Sequence, residues 1–276
     1  MKFEDVLRSK VRRWVLARDA GSALKSAANL YSRGIVASLN YLGEKTRDEG
    51  VVLSNLEEYL RLIRQAKKGL VRADVSVKPS QLGALVGPST LEENLRQLLD
   101  ELGDTVATLS VDAEDEKTNE LSWPVLRALI LDQTGLTLTV QAHDENATAK
   151  VSGIMEAGGR VRLCKGAYGG TAPPHDLLER LVLSILKTSP APKIVVATNS
   201  PRIVRLLSVV ALGQPFEIEP LQGTHRRVED LAVAAGLRIR RYVPFGENWL
   251  PYCKRRDPWF AENETKIVTL RSRGRI

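Results

Sequence analysis

Residues 136–165 read LTLTVQAHDENATAKVSGIMEAGGRVRLCK, and two kinds of order follow one another in this stretch. LTLTVQ (Leu136–Gln141) and RVRLCK (Arg160–Lys165) alternate apolar and polar side chains with period two, the mark of a strand with one apolar face. The segment between them reads as a helix that ends at Gly158 and Gly159, residues that leave helical geometry at little steric cost. Strand, helix and strand within thirty residues form the unit from which parallel sheets are built.

The unit recurs in both directions. Toward the N-terminus lie the β-like runs Ile35–Tyr41, Asp74–Lys78 and Val106–Asp112; toward the C-terminus lie Lys193–Thr198, Phe216–Leu221 and Leu237–Val243. Helix signals fall between them. Ser54 and Glu57 have capping-box spacing, and Thr90 and Glu93 open a helix that Gly103 stops. One helix ends before Gly135 and another begins near Asp176. Ser200, Pro201 and Gly213 stand as N-cap, first-turn proline and terminator of a further one, and a last helix runs from about Asn248 into CKRR. Eight such units in roughly 250 residues is the arithmetic of a (β/α)8 barrel. No G-x-G-x-x-G follows any strand, which weakens a doubly wound, dinucleotide-binding sheet. The expected fold class is α/β, a TIM-type barrel over residues 35–276 with a helical extension over 1–34.

Composition narrows the function. The 276 residues are 43% hydrophobic and 26% charged, which is ordinary for a globular chain and excludes a mainly disordered one. Two cysteines, Cys164 and Cys253, cannot build a disulfide framework and point to a reducing, cytoplasmic setting. With His143, His175 and His225 scattered, no metal-ligand spacing exists and no metal is expected. The N-terminus has no apolar core of a signal peptide, and no apolar run reaches the length of about 18–20 that a membrane span needs. The net charge of +7 is unevenly placed, +1 over residues 1–222 and +6 over 223–276. A diffuse basic surface for nucleic acid is thereby excluded, whereas a local anion site is not.

Strand parity sharpens that last point. Asp74, Ser76 and Lys78 oppose Val75 and Val77; Ser110 and Asp112 oppose Leu109 and Val111; Glu217 and Glu219 oppose Phe216 and Ile218. The apolar sets belong against the helices, which turns an unusually polar set into a barrel interior that is normally aliphatic. The C-terminal strand ends carry Lys78, Asp112, Gln141, Arg162, Lys165, Thr198, Glu219 and Tyr242, with Arg255 and Arg256 just beyond. Such a cation-rich mouth suits a ligand bearing carboxylate or phosphate. No histidine stands at a strand end, so a serine triad is disfavoured. Cys164 reads as a small inward hydrophobe.

These runs also carry a resemblance. VSVKPSQLG from Val75, SVDAED from Ser110, TVQA from Thr139, RVRLCKGAY from Arg160, VATNS from Val196, FEIEPLQG from Phe216 and RRYVPFGENWLPYCKRR from Arg240 resemble, in this order, the motifs of proline dehydrogenases. The resemblance covers about residues 35–263. It implies an FAD-dependent enzyme that oxidises L-proline to Δ1-pyrroline-5-carboxylate and passes the electrons to a quinone or another acceptor, with peripheral contact at a membrane surface among the expectations. Arg255, Arg256 and Lys78 match the positions that hold the substrate carboxylate, Asp112 the aspartate that orients them, and Tyr242 the tyrosine over the substrate ring. Glu262 matches the glutamate after the arginine pair. Arg162 matches the arginine at the flavin's hydride-accepting nitrogen, and Gln141, Lys165, Gly166, Thr198 and Asn199 match flavin-contacting positions. Arg162 and Lys165 have opposite parity, so both serve only if the strand ends near Cys164. The chain departs from the family pattern at Asn199, where histidine is usual, and at Glu219 and Gln222, where glutamine and an aromatic residue or histidine are usual.

Other readings stand beside this one. A Schiff-base lyase or aldolase would use Lys78 or Lys165 as nucleophile, an altered relative would act on another cyclic amino acid, and a nucleic-acid binder would use the basic C-terminal segment, although no interleaved aromatic and basic element supports it.

Overall fold

Eight parallel strands close on one another in sequence order, the last pairing back with the first. The computed structural model describes residues 2–103, 107–132, 135–166, 175–188, 194–210 and 216–274. The strands are β1 (Ile35–Tyr41), β2 (Ala73–Val77), β3 (Thr108–Val111), β4 (Thr137–Gln141), β5 (Arg160–Cys164), β6 (Ile194–Ala197), β7 (Glu217–Glu219) and β8 (Arg238–Phe245). The helices are α1 (Phe3–Trp14), α2 (Ala20–Tyr31), α3 (Glu49–Lys68), α4 (Pro88–Leu102), α5 (Glu116–Asp132), α6 (Ala147–Glu156), α7 (His175–Thr188), α8 (Pro201–Val210), α9 (Arg226–Ala234), α10 (Trp249–Lys254), α11 (Pro258–Glu262) and α12 (Glu264–Ser272). This is the (β/α)8 barrel that the strand–helix alternation implies. Among the described residues no helix is long and apolar enough to cross a membrane.

Element boundaries depart from the sequence expectation in instructive places. α3 begins at Glu49, not at Ser54, because the Asp48 side chain accepts the Val51 N–H at 3.0 Å and caps the helix earlier. Ser54 instead lies within the helix and returns its hydroxyl to Gly50 O at 2.9 Å. The seventh strand is only Glu217–Glu219, and the third begins at Thr108. Val106, Lys193 and Gly213 lie outside the described residues. At the C-terminal end, α12 runs to Ser272, and Arg271 donates to Glu247 O at 2.6 Å while lying over the Trp249 ring.

Two apolar clusters hold the fold. The larger joins strand faces to helices: Val75, Val77, Leu109, Val111, Leu138, Val140 and Ile218 pack outward against residues such as Tyr59, Leu62, Leu95 and Leu129. α3 contributes Leu56, Tyr59, Ile63 and Ala66, a stripe with helical spacing, and a fully buried side chain the size of Leu56 or Ile63 is worth about 2 kcal/mol of transfer free energy. The smaller cluster joins α1 to the C-terminal helices through Leu7, Trp14, Trp249, Phe260 and Ile267. α2 packs on β1 and α3. The smaller cluster anchors α10, whose C-terminal end delivers Arg255 and Arg256 to the barrel mouth.

Candidate active site

The inward strand faces are filled by a connected set of polar side chains, most of them buried. Arg162, on β5, is the hub. Its guanidinium donates to Glu219 Oε2 at 3.1 Å, Asp112 Oδ1 at 2.7 Å, Asp74 Oδ2 at 3.2 Å, Ser76 Oγ at 2.9 Å and Ser38 Oγ at 2.9 Å. One side chain thus ties β5 to β1, β2, β3 and β7. Below it, Asp74 also accepts from Ser38, Thr108 and Ser110 at 2.6–2.8 Å and lies 2.8 Å from Arg240, which with Arg160 engages Glu217. Burial pushes Asp74 up, but Arg240 and Arg162 outweigh it and hold the carboxyl at about 2.

Toward the mouth, Lys78 follows β2 in extended backbone and so keeps the inward parity of Asp74 and Ser76. Its Nζ donates to Asn40 Oδ1 at 2.9 Å, Asp112 Oδ2 at 3.1 Å and the Tyr242 hydroxyl at 3.2 Å. The Tyr242 hydroxyl in turn donates to Asp112 Oδ2 at 2.6 Å. Burial raises the Asp112 carboxyl, yet Lys78 and Arg162 hold it below its ordinary value. Burial and then the Asp112 charge push the Tyr242 phenol well up, so it remains a donor. The three donors of Lys78 are committed to fixed acceptors, an arrangement suited to a positioned charge and not to a nucleophilic amine.

Above this layer opens a cavity of about 890 Å³, within the range of sites that hold organic ligands. Lys78, Asp112 and Tyr242 lie on its wall with Tyr252, Arg255 and Arg256 from the C-terminal helices; Arg162, Lys165, Thr198 and Asn199 line it from β5 and β6. Arg255 stands at the rim in a bidentate pair with Glu44 at 2.5 and 2.9 Å. Arg256 stacks 3.5 Å over the Tyr252 ring and donates to Tyr252 O at 3.0 Å. Its Nε is buried without a protein partner, as are the Tyr252 hydroxyl and Glu219 Oε1. Buried polar atoms are mostly paired; two further unpartnered atoms, Trp14 Nε1 and Arg240 Nη1, lie away from this cavity, whereas these three belong to residues that line it and mark where a ligand can supply partners.

The sequence-derived residues divide into those that meet and those that do not. β5 ends at Cys164, the chain then turns, and Lys165 lines the cavity together with Arg162. Burial pushes the Cys164 thiol up to about 12, which leaves it unreactive. Gly166 has φ +104, and a β-carbon there would lie 2.1 Å from His143 Nδ1, so this turn demands glycine. Thr198 Oγ1 accepts Ser200 N–H at 3.1 Å ahead of α8, and Asn199 Oδ1 accepts Leu221 N–H at 2.9 Å. Gln141 lies away from the cavity: its amide donates to Glu114 O at 3.0 Å and braces the loop after β3. Glu114 accepts Ser80 N–H and Oγ–H at 2.8 and 2.7 Å, which steadies the loop beyond Lys78. Glu262 is exposed at the end of α11 and does not reach the cavity. The DPWF segment explains this, because Asp257 caps α11 and pairs with Lys10 while Phe260 enters the smaller apolar cluster. Asn40, Glu44 and Tyr252 were not legible as site residues. They sit in ordinary strand, loop and helix contexts, and only folding brings Glu44 to Arg255 and Asn40 to Lys78.

Comparison with known proteins bears on the family and the fold. The family model described as proline dehydrogenase matches residues 23–173. A proline dehydrogenase 1 of Bacillus subtilis strain 168 is 25% identical over 262 residues, covering 89% of this chain and 85% of its own. A proline dehydrogenase of Deinococcus radiodurans is 24% identical over 291 residues, covering 97% and 93%. Among solved structures, proline utilization A from Bdellovibrio bacteriovorus, inactivated by N-propargylglycine, superposes with TM-score 0.80 at 17% identity over 94% of this chain. This chain spans about a third of that protein's length, 33%, and the likeness speaks for the fold alone. With the family model covering more than half of the sequence and full-length relatives aligning along nearly all of it, the chain belongs to the proline dehydrogenase family.

Proposed function

We propose that this chain oxidises L-proline to Δ1-pyrroline-5-carboxylate with FAD as cofactor and a quinone-type acceptor, reached at a membrane surface, as the exit for electrons. The observation that carries the reading is the meeting of Lys78, Tyr242 and Arg256 on one wall of a cavity large enough for both cofactor and substrate.

The residues divide the work by chemistry. Arg256, with buried donor capacity left over, and Arg255 provide a guanidinium fork for the substrate carboxylate, and Lys78 adds a point charge. Arg255 exchanges Glu44 for that carboxylate when substrate enters. Tyr242, its hydroxyl fixed by Lys78 and Asp112, packs over a five-membered ring and crowds out longer side chains. Orienting the substrate before reaction removes much of the entropic barrier.

The opposite wall fits an elongated, phosphate-bearing cofactor: Lys165, Thr198 and Asn199 line it, and Glu219 Oε1 offers an unmet hydrogen-bonding position near Arg162. When bound, FAD supplies the two-electron acceptor for hydride from the ring carbon next to nitrogen. Arg162 contributes positive charge on the cavity floor, where negative charge develops. The ring nitrogen loses its proton to solvent as the C=N bond forms.

Anaerobic addition of L-proline to flavin-loaded protein tests the reading. Loss of the oxidised-flavin absorbance is the expected result. A protein that takes up no FAD overturns the mechanism, and bound flavin that L-proline fails to bleach overturns the substrate.

A further inference from the structure

Glu219 is the last residue of β7, 2% exposed, and part of the cavity lining. Its two oxygens have different surroundings. Oε2 accepts from Arg162 Nε at 3.1 Å, whereas Oε1 is buried with no partner in the protein. Arg162 cannot serve both, because its other nitrogens are committed to Asp112, Ser76, Ser38 and Asp74. The titratable groups facing Glu219 come from several strands: Arg162 and Cys164 on β5, Arg240 on β8, Asp74 on β2 and Asp112 just past β3. The adjacent residue of β6, Ala197, carries no titratable group.

Arg162 is therefore shared among three carboxylates. Arg240 is itself paired with Asp74 and Glu217, so an ionised Glu219 would hold a share of the Arg162 countercharge and one bare buried oxygen, which is an expensive arrangement. A carboxylic acid in the same place has no such defect, for it offers an acceptor to Arg162 and a donor to the cavity.

We propose that Glu219 acts as a carboxylic acid, with Oε2 accepting from Arg162 and Oε1–H donating to a ring nitrogen or carbonyl of a planar heteroaromatic ligand. The donor role deepens the cofactor reading above and rests on it. Burial against the pull of Arg162 and Arg240 brings the Glu219 pKa up to about 7, in agreement with the geometry. The two-sided arrangement of an acceptor and a donor is also what a glutamine amide would provide, so Glu219→Gln mimics the protonated state at every pH.

Two measurements test this. In difference infrared spectra at pH 6, the unsubstituted protein shows a protonated-carboxyl band that Glu219→Gln lacks and that fades as pH rises to 8. FAD affinity, read from flavin fluorescence, weakens about tenfold from pH 6 to pH 8 in the unsubstituted protein, as the competent fraction falls. In Glu219→Gln it stays level, and in Glu219→Ala it is weak throughout. The same pH dependence in the unsubstituted protein and Glu219→Gln, or the absence of the band, overturns the proposal. A protein that shows the band but binds no FAD at any pH supports the protonated Glu219 and overturns the cofactor reading instead.

Discussion

The lower and upper halves of the barrel interior use the same residue types and treat them differently. Around Asp74 and Arg240 the carboxylate has hydroxyl and guanidinium partners on all sides, drawn from β1, β3, β5 and β8. At the mouth, Arg256 Nε, the Tyr252 hydroxyl and Glu219 Oε1 have none within the protein. Charge by itself therefore does not mark the site. The lower layer replaces the aliphatic filling of an ordinary barrel with a network that braces the strands, in which Arg240 Nη1 lies 2.8 Å from Asp74 Oδ1 as an ion pair without a directed hydrogen bond, and the upper layer leaves three polar atoms open at a cavity. Arg162 belongs to both layers, because it fastens the lower one and forms the floor of the upper.

The largest effect should come from breaking that junction. Arg162→Met leaves Asp74, Asp112 and Glu219 buried without their shared countercharge and should lower unfolding free energy by about 3–5 kcal/mol in a denaturant titration. A loss below about 1 kcal/mol would show that the network is not a brace.

The two layers should next separate by pH. Asp74 has a folded pKa of about 2, below its unfolded value of 3.8. It contributes about 2 kcal/mol that is fully present above pH 4 and lost as pH falls toward 2. Glu219 has a folded pKa of about 7, above its unfolded value of 4.5. Its contribution has the opposite sign, present below about pH 4.5 and lost as pH rises through 7, on the order of 3 kcal/mol. Urea unfolding at pH 5 and pH 8 should accordingly show Glu219→Gln gaining on the parent protein at the higher pH. Equal pH profiles would contradict the unpaired state of Oε1.

At the mouth the effects pass from stability to binding. Arg256→Ala should weaken L-proline binding about 10- to 100-fold, the worth of a charge-assisted hydrogen bond, with flavin affinity little changed. Equal loss of both ligands in parallel titrations would contradict the division of the cavity walls. The smallest change belongs to Glu44→Gln. Its pair with Arg255 is at the rim, so stability should move by less than about 1 kcal/mol while L-proline binds slightly tighter. Weaker binding would assign Glu44 to the substrate site itself.

The parts of this molecule that a linear reading reached are those governed by local periodicity. Period-two alternation in Asp74–Lys78 and Glu217–Glu219 places these side chains on the inner face, because parity is a property of the strand alone. The local signal at Ser54 failed because Asp48, six residues earlier and equally able to cap, accepts the Val51 N–H and starts the helix there. Matching motifs also failed to report direction. Gln141 has inward parity, yet its amide is turned to Glu114, and Glu262 was carried outward once Phe260 found an apolar pocket.

By itself the amino-acid sequence determined eight strand–helix units, an unusually polar barrel interior and the family to which the chain belongs, since each depends on short-range pattern or on motifs in order. Only the tertiary structure decided which charges are closed and which are open. The Glu44–Arg255 pair spans 211 residues and the Arg162–Ser38 bond spans 124. Whether Glu219 keeps a free oxygen depends on how three carboxylates, on β2, on β7 and just past β3, divide one guanidinium. Such a division is a matter of distances across a closed barrel, which residue order along the chain does not contain.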